Sequence, residues 1–215
     1  MVILVALLLA FTSQLLQERQ QQNEDRDKMR QILRSINVDV SKSQVEAKFE
    51  KLITNSFVIN SEGNIVESDA FEINLEHELA MSEAEQRFPV FIATIDGETK
   101  YILAMRGRGL WGPMWGYISL NDDRNTVFGA TFNHAGETPG LGAEINRPDF
   151  GRQFIGKRLF NAEGKFVSIA VVHQGRSAIG QDYVDGISGG TITGQGVNTM
   201  IRTSIEAYIN FLTPN

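Results

Sequence analysis

The stretch FPVFIATIDGETKYILAM, residues 88–105, holds two apolar runs with a short polar segment between them. Both runs, Phe88–Ile95 and Tyr101–Met105, are rich in the β-branched and aromatic residues that favour strands. The polar segment Asp96-Gly97-Glu98 contains Asp-Gly, a strong hairpin signal because both residues tolerate a positive φ. The stretch therefore predicts two antiparallel strands joined by a tight turn.

Similar signals lie on both sides of this hairpin. A second hairpin is predicted from residues 116–120 and 126–132, and further short strands are predicted at residues 57–60, 65–67 and 166–173. Helices are predicted at residues 41–53, 150–159 and 197–212, the last from apolar residues at helical spacing. Strands grouped with a few helices predict an α+β domain with antiparallel strands.

The first sixteen residues, MVILVALLLAFTSQLL, are almost entirely apolar. A membrane-spanning helix needs about 20 apolar residues, so this run is at the short edge. A signal peptide would carry a positive segment before the run and a small-residue cleavage site after it, and a buried core helix would have a polar face. We therefore favour a membrane anchor whose first residues lie upstream of Met1, and we keep the other two interpretations open.

A polar segment without Gly or Pro, QERQQQNEDRDKMRQIL, follows the apolar run and favours helix. Met29, Ile32, Leu33 and Ile36 then form an apolar stripe at helical spacing. We interpret this segment as a stalk that continues the membrane helix. The predicted organisation is an anchor and stalk over residues 1–40 and one extracytoplasmic domain over residues 41–215, starting at the candidate N-cap Ser41.

Composition excludes several classes of protein. The 215-residue chain is 42% hydrophobic and 21% charged, which is typical of a globular domain and not of a disordered chain or a polytopic transporter. Its net charge of −6 argues against a nucleic-acid partner. The absence of cysteine excludes disulfides, thiolate metal sites and a cysteine nucleophile.

No standard catalytic motif is present. The three histidines, His77, His134 and His173, lack metal-ligand spacing, and acidic pairs such as Glu76 and Glu78 are better explained as solvated surface. His173 ends a predicted strand and is better explained as a structural histidine than as a ligand. The sequence therefore predicts neither a catalytic residue nor a metal site.

Three glycine-rich segments remain: RGRGLWGPMWGY at residues 106–117, HAGETPGLGAEI at residues 134–145 and DGISGGTITGQG at residues 185–196. Glycine allows the backbone to approach a ligand, Trp offers a stacking face, and the hydroxyls of Ser188 and Thr191 precede a helix that would favour a phosphate. By spacing alone, the first two segments are equally well explained as a turn or a connecting loop, and composition favours a flexible turn before a helix for the third.

Two of these segments together resemble the FMN-binding domain family. Asp185–Thr191, DGISGGT, is similar to the flavinylation signature D-x-x-S-G-A-T, and ETPGLG at residues 137–142 matches a loop of the same family in the same order. Gly190 departs from the signature, which has Ala there. Loss of that methyl group is expected to loosen the loop without blocking attachment.

The resemblance implies a cofactor and its site. In the family, FMN is joined through its phosphate to the threonine hydroxyl by a separate Mg²⁺-dependent flavin transferase that uses FAD, so Thr191 would carry the FMN. The remaining residues expected at the cofactor site are Ser188, Gly189, Gly190, Glu137, Thr138, Leu141, Gly142 and Trp111. Of these, Glu137, Thr138 and Leu141 would contact the flavin ring, and Trp111 would stack on it or shield it.

Within the family, the segment Gly107–Tyr117 resembles the G-x-G-L-W stretch of the C subunits of Na⁺-translocating NADH:quinone oxidoreductases. That resemblance implies a single-pass bacterial inner-membrane protein facing the periplasm. It would relay electrons from an iron–sulfur centre to a membrane flavin, with the other subunits of the complex as partners. The G subunit of an Rnf-type complex and a membrane-anchored binding domain without a redox role stay open as alternatives.

Overall fold

The computed structural model describes the backbone of residues 2–213 and the side chains of residues 5, 16, 17 and 19–213. The α-helices are α1 (Val2–Ser35), α2 (Val45–Leu52), α3 (Leu75–Glu78), α4 (Pro148–Arg152), α5 (Thr191–Glu206) and α6 (Ile209–Leu212). The strands are β1 (Ile53–Asn60), β2 (Ile65–Val66), β3 (Arg87–Ile95), β4 (Glu98–Arg108), β5 (Pro113–Leu120), β6 (Val127–His134), β7 (Ile169–Val172) and β8 (Asp182–Asp185). Short 3₁₀ turns lie at Lys42–Gln44, Glu83–Glu85 and Gly142–Asn146.

Six strands form one antiparallel sheet in the order β2-β1-β3-β4-β5-β6. The predicted hairpin at residues 88–105 is β3–β4, with Ile95 paired to Glu98 across the two-residue turn. Asp96 and Gly97 have φ values of 52° and 84°, as a type I′ turn requires. The second pair, β7 and β8, is parallel and leads into α5. The α+β class with an antiparallel sheet is therefore confirmed.

Each face of the sheet carries its own apolar core, because alternate strand residues point to opposite faces. Along β4, Leu103 and Met105 pack on the side of α5, and Ile102 packs on the side of α1. The α5 side also contains Tyr208, whose hydroxyl donates to the carbonyls of Pro89 and Ala104. Burial raises the pKa of the Tyr208 hydroxyl. The larger core thus packs α5 against the middle of the sheet.

The end of the predicted stalk packs on the opposite face. Ile32, Leu33 and Ile36 are fully buried against β3, β4 and β5, together with Val45 of α2. The Trp115 indole N–H also donates to the Gln31 side chain at 2.9 Å. The last turns of α1 therefore belong to the folded unit, although the domain boundary at residues 40 and 41 stays a prediction.

The membrane anchor is not confirmed. Among the residues that the structure describes, no helix is both long enough and apolar enough to cross a membrane. The predicted anchor falls mainly on residues whose side chains lie outside the described set, so it also stays a prediction.

Several predicted bounds differ from the structure. The strand expected at residues 166–173 is only Ile169–Val172, because Phe166 bridges to Phe160 and Ser168 has a φ of 66°. The helix expected at residues 150–159 ends at Arg152. Ser41 makes no capping bond to the backbone, since its hydroxyl meets the side chains of Ser43 and Gln44 instead.

Candidate functional site

The two motif segments meet at one edge of the α5 side. Residues 137–142 follow β6, and residues 185–191 lead into α5. The two segments face each other across a small cavity of about 200 Å³. The cavity is lined by Leu110, Glu137, Thr138, Leu141, Gly142, Gly189, Gly190, Thr191, Ile192 and Thr193. Segments that are about 50 residues apart in the chain therefore build one site.

Glu137 connects the walls of this cavity. Its carboxylate is 5% exposed and accepts two hydrogen bonds, one from the Trp111 backbone N–H at 2.9 Å and one from the Thr193 hydroxyl at 2.5 Å. Its own N–H donates to Nδ1 of His134 at 3.1 Å. One buried side chain thus joins the loop after β4, the loop after β6 and the first turn of α5.

The close approach of these walls requires glycine at two positions. A Cβ at Gly142 would lie 2.3 Å from the Thr193 hydroxyl oxygen and 2.6 Å from a Glu137 carboxylate oxygen. A Cβ at Gly109 would lie 2.4 Å from the other carboxylate oxygen of Glu137. The glycines therefore leave the space that the buried carboxylate occupies.

Of the hydroxyls near the signature, only some are accessible. Thr191 is exposed as the first residue of α5, directly after the turn that contains Gly189 with a φ of 72°. Ser188 is also exposed, whereas Thr193 is buried and donates to Glu137. Thr191 and Ser188 can meet an incoming group, and Thr193 cannot without breaking the contact with Glu137.

Exposed apolar side chains lie at the cavity and next to it in the chain. Leu110, Leu141 and Ile192 line the cavity, and Trp111 follows Leu110; these four residues, which we call the apolar rim, are each between 42% and 67% exposed. Exposed apolar side chains that cluster in this way mark a ligand or partner contact more often than scattered ones do. The rim gives the site an open, apolar entrance.

A larger cavity of about 460 Å³ lies on the other side of Gly189, Gly190 and Thr191, which line both cavities. It is bounded by the end of β7, the turn after it, the signature loop and the start of α5. Its polar side chains are those of His173, Gln174, Arg176, Ser188, Thr191 and Gln195. The signature threonine therefore stands between two cavities of different chemistry.

The structure brings together most of the predicted site residues. Around the small cavity lie Glu137, Thr138, Leu141, Gly142, Gly189, Gly190 and Thr191. Ser188 lines only the larger cavity. The Trp111 side chain lines neither cavity as described, although its backbone N–H holds Glu137, so its role on a flavin ring stays a prediction.

Sequence reasoning misses several residues of the two cavities, Arg176 of the larger one among them. Leu110 and Ile192 lie next to predicted residues in the chain, so their position beside the motifs is the available signal. Thr193, which the glycine-rich pattern places in a loop, lies inside α5. His173, for which the pattern favours a structural role, is exposed and lines the larger cavity.

The chain also matches known proteins. Residues 109–206 match the model of the FMN-binding domain family, a range that contains both motif segments. The C subunit of the Na⁺-translocating NADH-quinone reductase from Vibrio alginolyticus is 31% identical over 199 residues, covering 85% of this chain and 77% of that protein. The corresponding protein from Haemophilus ducreyi is 29% identical and covers 93% of this chain and 84% of its own length.

Solved structures of C subunits are also similar to this chain. The crystal structure of the C subunit of the Na⁺-translocating NADH-quinone reductase from Parabacteroides distasonis is 53% identical and superposes with a TM-score of 0.89, covering 93% of this chain and 98% of that one. The chain belongs to the family of these C subunits. The structure of the family member NqrC from Shewanella oneidensis, 25% identical with a TM-score of 0.73, has the same fold over 88% of this chain. The family resemblance that the two motifs indicate is thereby confirmed.

Proposed function

We propose that this chain is the FMN-carrying, electron-transfer subunit of a Na⁺-translocating NADH:quinone oxidoreductase, with FMN joined to Thr191. The observation that carries the proposal is the position of the Thr191 hydroxyl. It is exposed at the end of the signature loop, on the wall of a cavity that the second motif also lines.

Attachment needs only a free hydroxyl from this chain. The Thr191 oxygen forms a bond to the flavin-side phosphorus of FAD, the pyrophosphate bond breaks and AMP leaves, while the hydroxyl proton passes to a base of the flavin transferase. No atom is oxidised or reduced in this step. Thr191 suits it because it is exposed and directly follows the turn that contains Gly189, whose φ of 72° glycine adopts readily.

The residues around Thr191 fit a flavin. The small cavity of about 200 Å³ is below the range of roughly 300–1,000 Å³ for sites that enclose a ligand of drug size. The ring would therefore lie in the open mouth, where the apolar rim removes water from part of its surface. When bound, FMN supplies the transfer of electrons, one or two at a time. Glu137 keeps the cavity walls in place, and no residue of this chain has to act as a general acid or base.

The wider assignment follows from the family. The partners would be the other subunits of the complex, and the chain would accept electrons from an iron–sulfur centre and deliver them to a membrane flavin on the way from NADH to ubiquinone. The sites for NADH, quinone and Na⁺ would lie on those subunits. A single anchor at the start of the chain would hold residues 41–215 on the periplasmic side of the inner membrane.

The other hypotheses make different predictions. An Rnf-type G subunit would carry the same FMN but purify with different partners, and the relatives described above are named as C subunits of the Na⁺-translocating reductase instead. A binding domain without a redox role would accept no flavin, which fits poorly with the FMN-binding domain match.

Intact-mass measurement of the chain produced with and without a flavin transferase tests the attachment. We expect a denaturation-resistant FMN adduct that appears only with the transferase and is lost in Thr191→Ala. Thr199→Ala is the matched control, because Thr199 is an exposed threonine of the same helix that lines neither cavity, and this variant should still accept FMN. No adduct on the unaltered chain, with a transferase that is active on another substrate, would contradict the proposal.

A further inference from the structure

The larger cavity beside Thr191 has a charge character unlike that of the molecule as a whole. The chain carries 26 acidic and 20 basic side chains. Among the residues that line this cavity, however, there is no carboxylate, and Arg176 and His173 face the same space as the hydroxyls of Thr191 and Ser188. The small cavity on the other side of the loop contains Glu137 instead. An anion at Thr191 would therefore be favoured on the Arg176 side.

A tight turn places the backbones of His173 and Arg176 beside the signature loop. Strand β7 ends at Val172, and the Arg176 N–H donates to the His173 carbonyl at 2.9 Å, with Gly175 at a φ of 76° between them. The end of β7 is fixed in turn by the Gly186 N–H, which donates to the Val172 carbonyl at 2.7 Å. The turn and the signature loop are therefore joined directly at the floor of the cavity.

Arg176 is available for a ligand. It forms no ion pair within the part of the chain that the structure describes, whereas most of the ion pairs found there involve other arginines. Its guanidinium can form two parallel hydrogen bonds to phosphate oxygens, and it keeps its charge at every physiological pH. An unpaired arginine beside an exposed threonine is the arrangement expected for holding a phosphoryl group.

We propose that Arg176 and His173 form the anion site for the phosphodiester at Thr191, which places the phosphoryl group in the larger cavity. This inference rests on the proposed attachment at Thr191 and adds which side of the signature loop the linkage occupies. Arg176 and His173 are positioning residues. They neutralise the linkage and limit its rotation, so that the phosphoryl group stays on the Arg176 side of the loop.

Two of the three histidines allow a direct test. The full chain, with ¹³C-labelled histidine, is examined by NMR in its flavin-free and fully flavinylated forms. The other charged groups around His173 are Arg176 in the same turn and Asp185 of β8, which pairs with Val172 of β7. We expect flavinylation to shift the imidazole resonances of His173, because the charged linkage would lie beside its ring. His77, exposed in α3 and not among the residues lining either cavity, should keep its resonances.

A second measurement isolates Arg176. In the flavinylated chain, we expect the ³¹P resonance of the linkage to move in Arg176→Gln and to stay unchanged in the control Arg158→Gln, an exposed arginine that lines neither cavity. Intact mass confirms that each sample carries FMN, so that a failure of attachment is recognised separately. Unchanged imidazole resonances of His173, or an unchanged ³¹P resonance in Arg176→Gln, in fully flavinylated protein would overturn the inference while the attachment at Thr191 stands.

Discussion

At the scale of single residues, Glu137 organises the candidate site. A carboxylate that is buried without a cation beside it is costly unless its oxygens are hydrogen-bonded. Glu137 meets this condition with one backbone donor from the loop after β4 and one hydroxyl donor from the first turn of α5. The family motif thus has a structural role in addition to the proposed contact with a flavin.

Replacement of Glu137 tests that role. Glu137→Ala leaves the Trp111 N–H and the Thr193 hydroxyl without their partner, and each unsatisfied group costs about 1–3 kcal/mol. We expect the free energy of unfolding, from urea titration of the flavin-free chain, to fall by about 2 kcal/mol or more. Glu163→Ala, at an exposed turn, is the control and should change it by less than about 0.5 kcal/mol. Equal effects of the two substitutions would contradict the structural role.

At the scale of elements, α5 lies unusually close to β4. A Cβ at Gly196 would lie 2.5 Å from the Arg108 carbonyl oxygen, and that oxygen is part of the backbone and cannot move aside easily. A Cβ at Gly194 would meet only the Val171 side chain at an ordinary 3.6 Å. Gly196 therefore permits the close packing of α5 on β4, whereas Gly194 has room for a side chain.

The two glycines predict opposite effects. Gly194→Ala should stabilise the protein by about 0.5–1 kcal/mol, because alanine is the better helix former and the added methyl group has room. Gly196→Ala should destabilise it by about 1–3 kcal/mol, because α5 has to move away from the sheet. Thermal unfolding of the two variants measures both effects, and stabilisation by both would show that α5 is not held against β4 at this distance.

The same helix shows where sequence reasoning succeeds and where it stops. The Asp96-Gly97 turn and the apolar spacing from Val197 to Leu212 report directly on local geometry. The structure has the turn as predicted, and it has helix over most of residues 197–212, divided between α5 and α6 by a break at Ala207 and Tyr208. The sequence pattern predicts that α5 starts after Gly196 and not at Thr191, because glycines locally favour a loop. Glycine is needed at position 196 because β4, which is distant in the chain, lies against α5 there. Spacing alone contains no information about that contact. The exposed positions of Leu110 and Ile192 beside the motifs depend on tertiary contacts in the same way.

At the scale of the whole molecule, the sheet is covered on both faces by the two ends of the chain. The C-terminal helices bury one face, and the last turns of α1 bury the other. Since Ile32, Leu33 and Ile36 lie in this second core, the segment that would connect a membrane anchor to the domain is itself part of the domain. The domain would then sit at a fixed distance from the membrane and not on a flexible tether.

Truncation tests this organisation. Removal of residues 1–20 leaves the packed part of α1 intact, so the remaining chain should fold with unchanged cooperativity. Removal of residues 1–40 deletes the three fully buried apolar side chains of Ile32, Leu33 and Ile36, whose replacement by alanine alone would cost about 2–5 kcal/mol each. We expect the shorter chain to unfold at much lower urea concentration or to be insoluble. Equal stability of the two chains would show that α1 contributes nothing to the domain.

The measurement that bears most directly on the proposed function is the mapping of the flavin on the unaltered chain. The flavinylated protein is digested, and the yellow peptide is fragmented by a method that preserves phosphoester bonds. We predict that the mass of FMN lies on Thr191 alone, because its hydroxyl is exposed where the two motifs meet. Flavin mass on Ser188 or Thr193, or on a peptide outside the signature, would contradict this assignment.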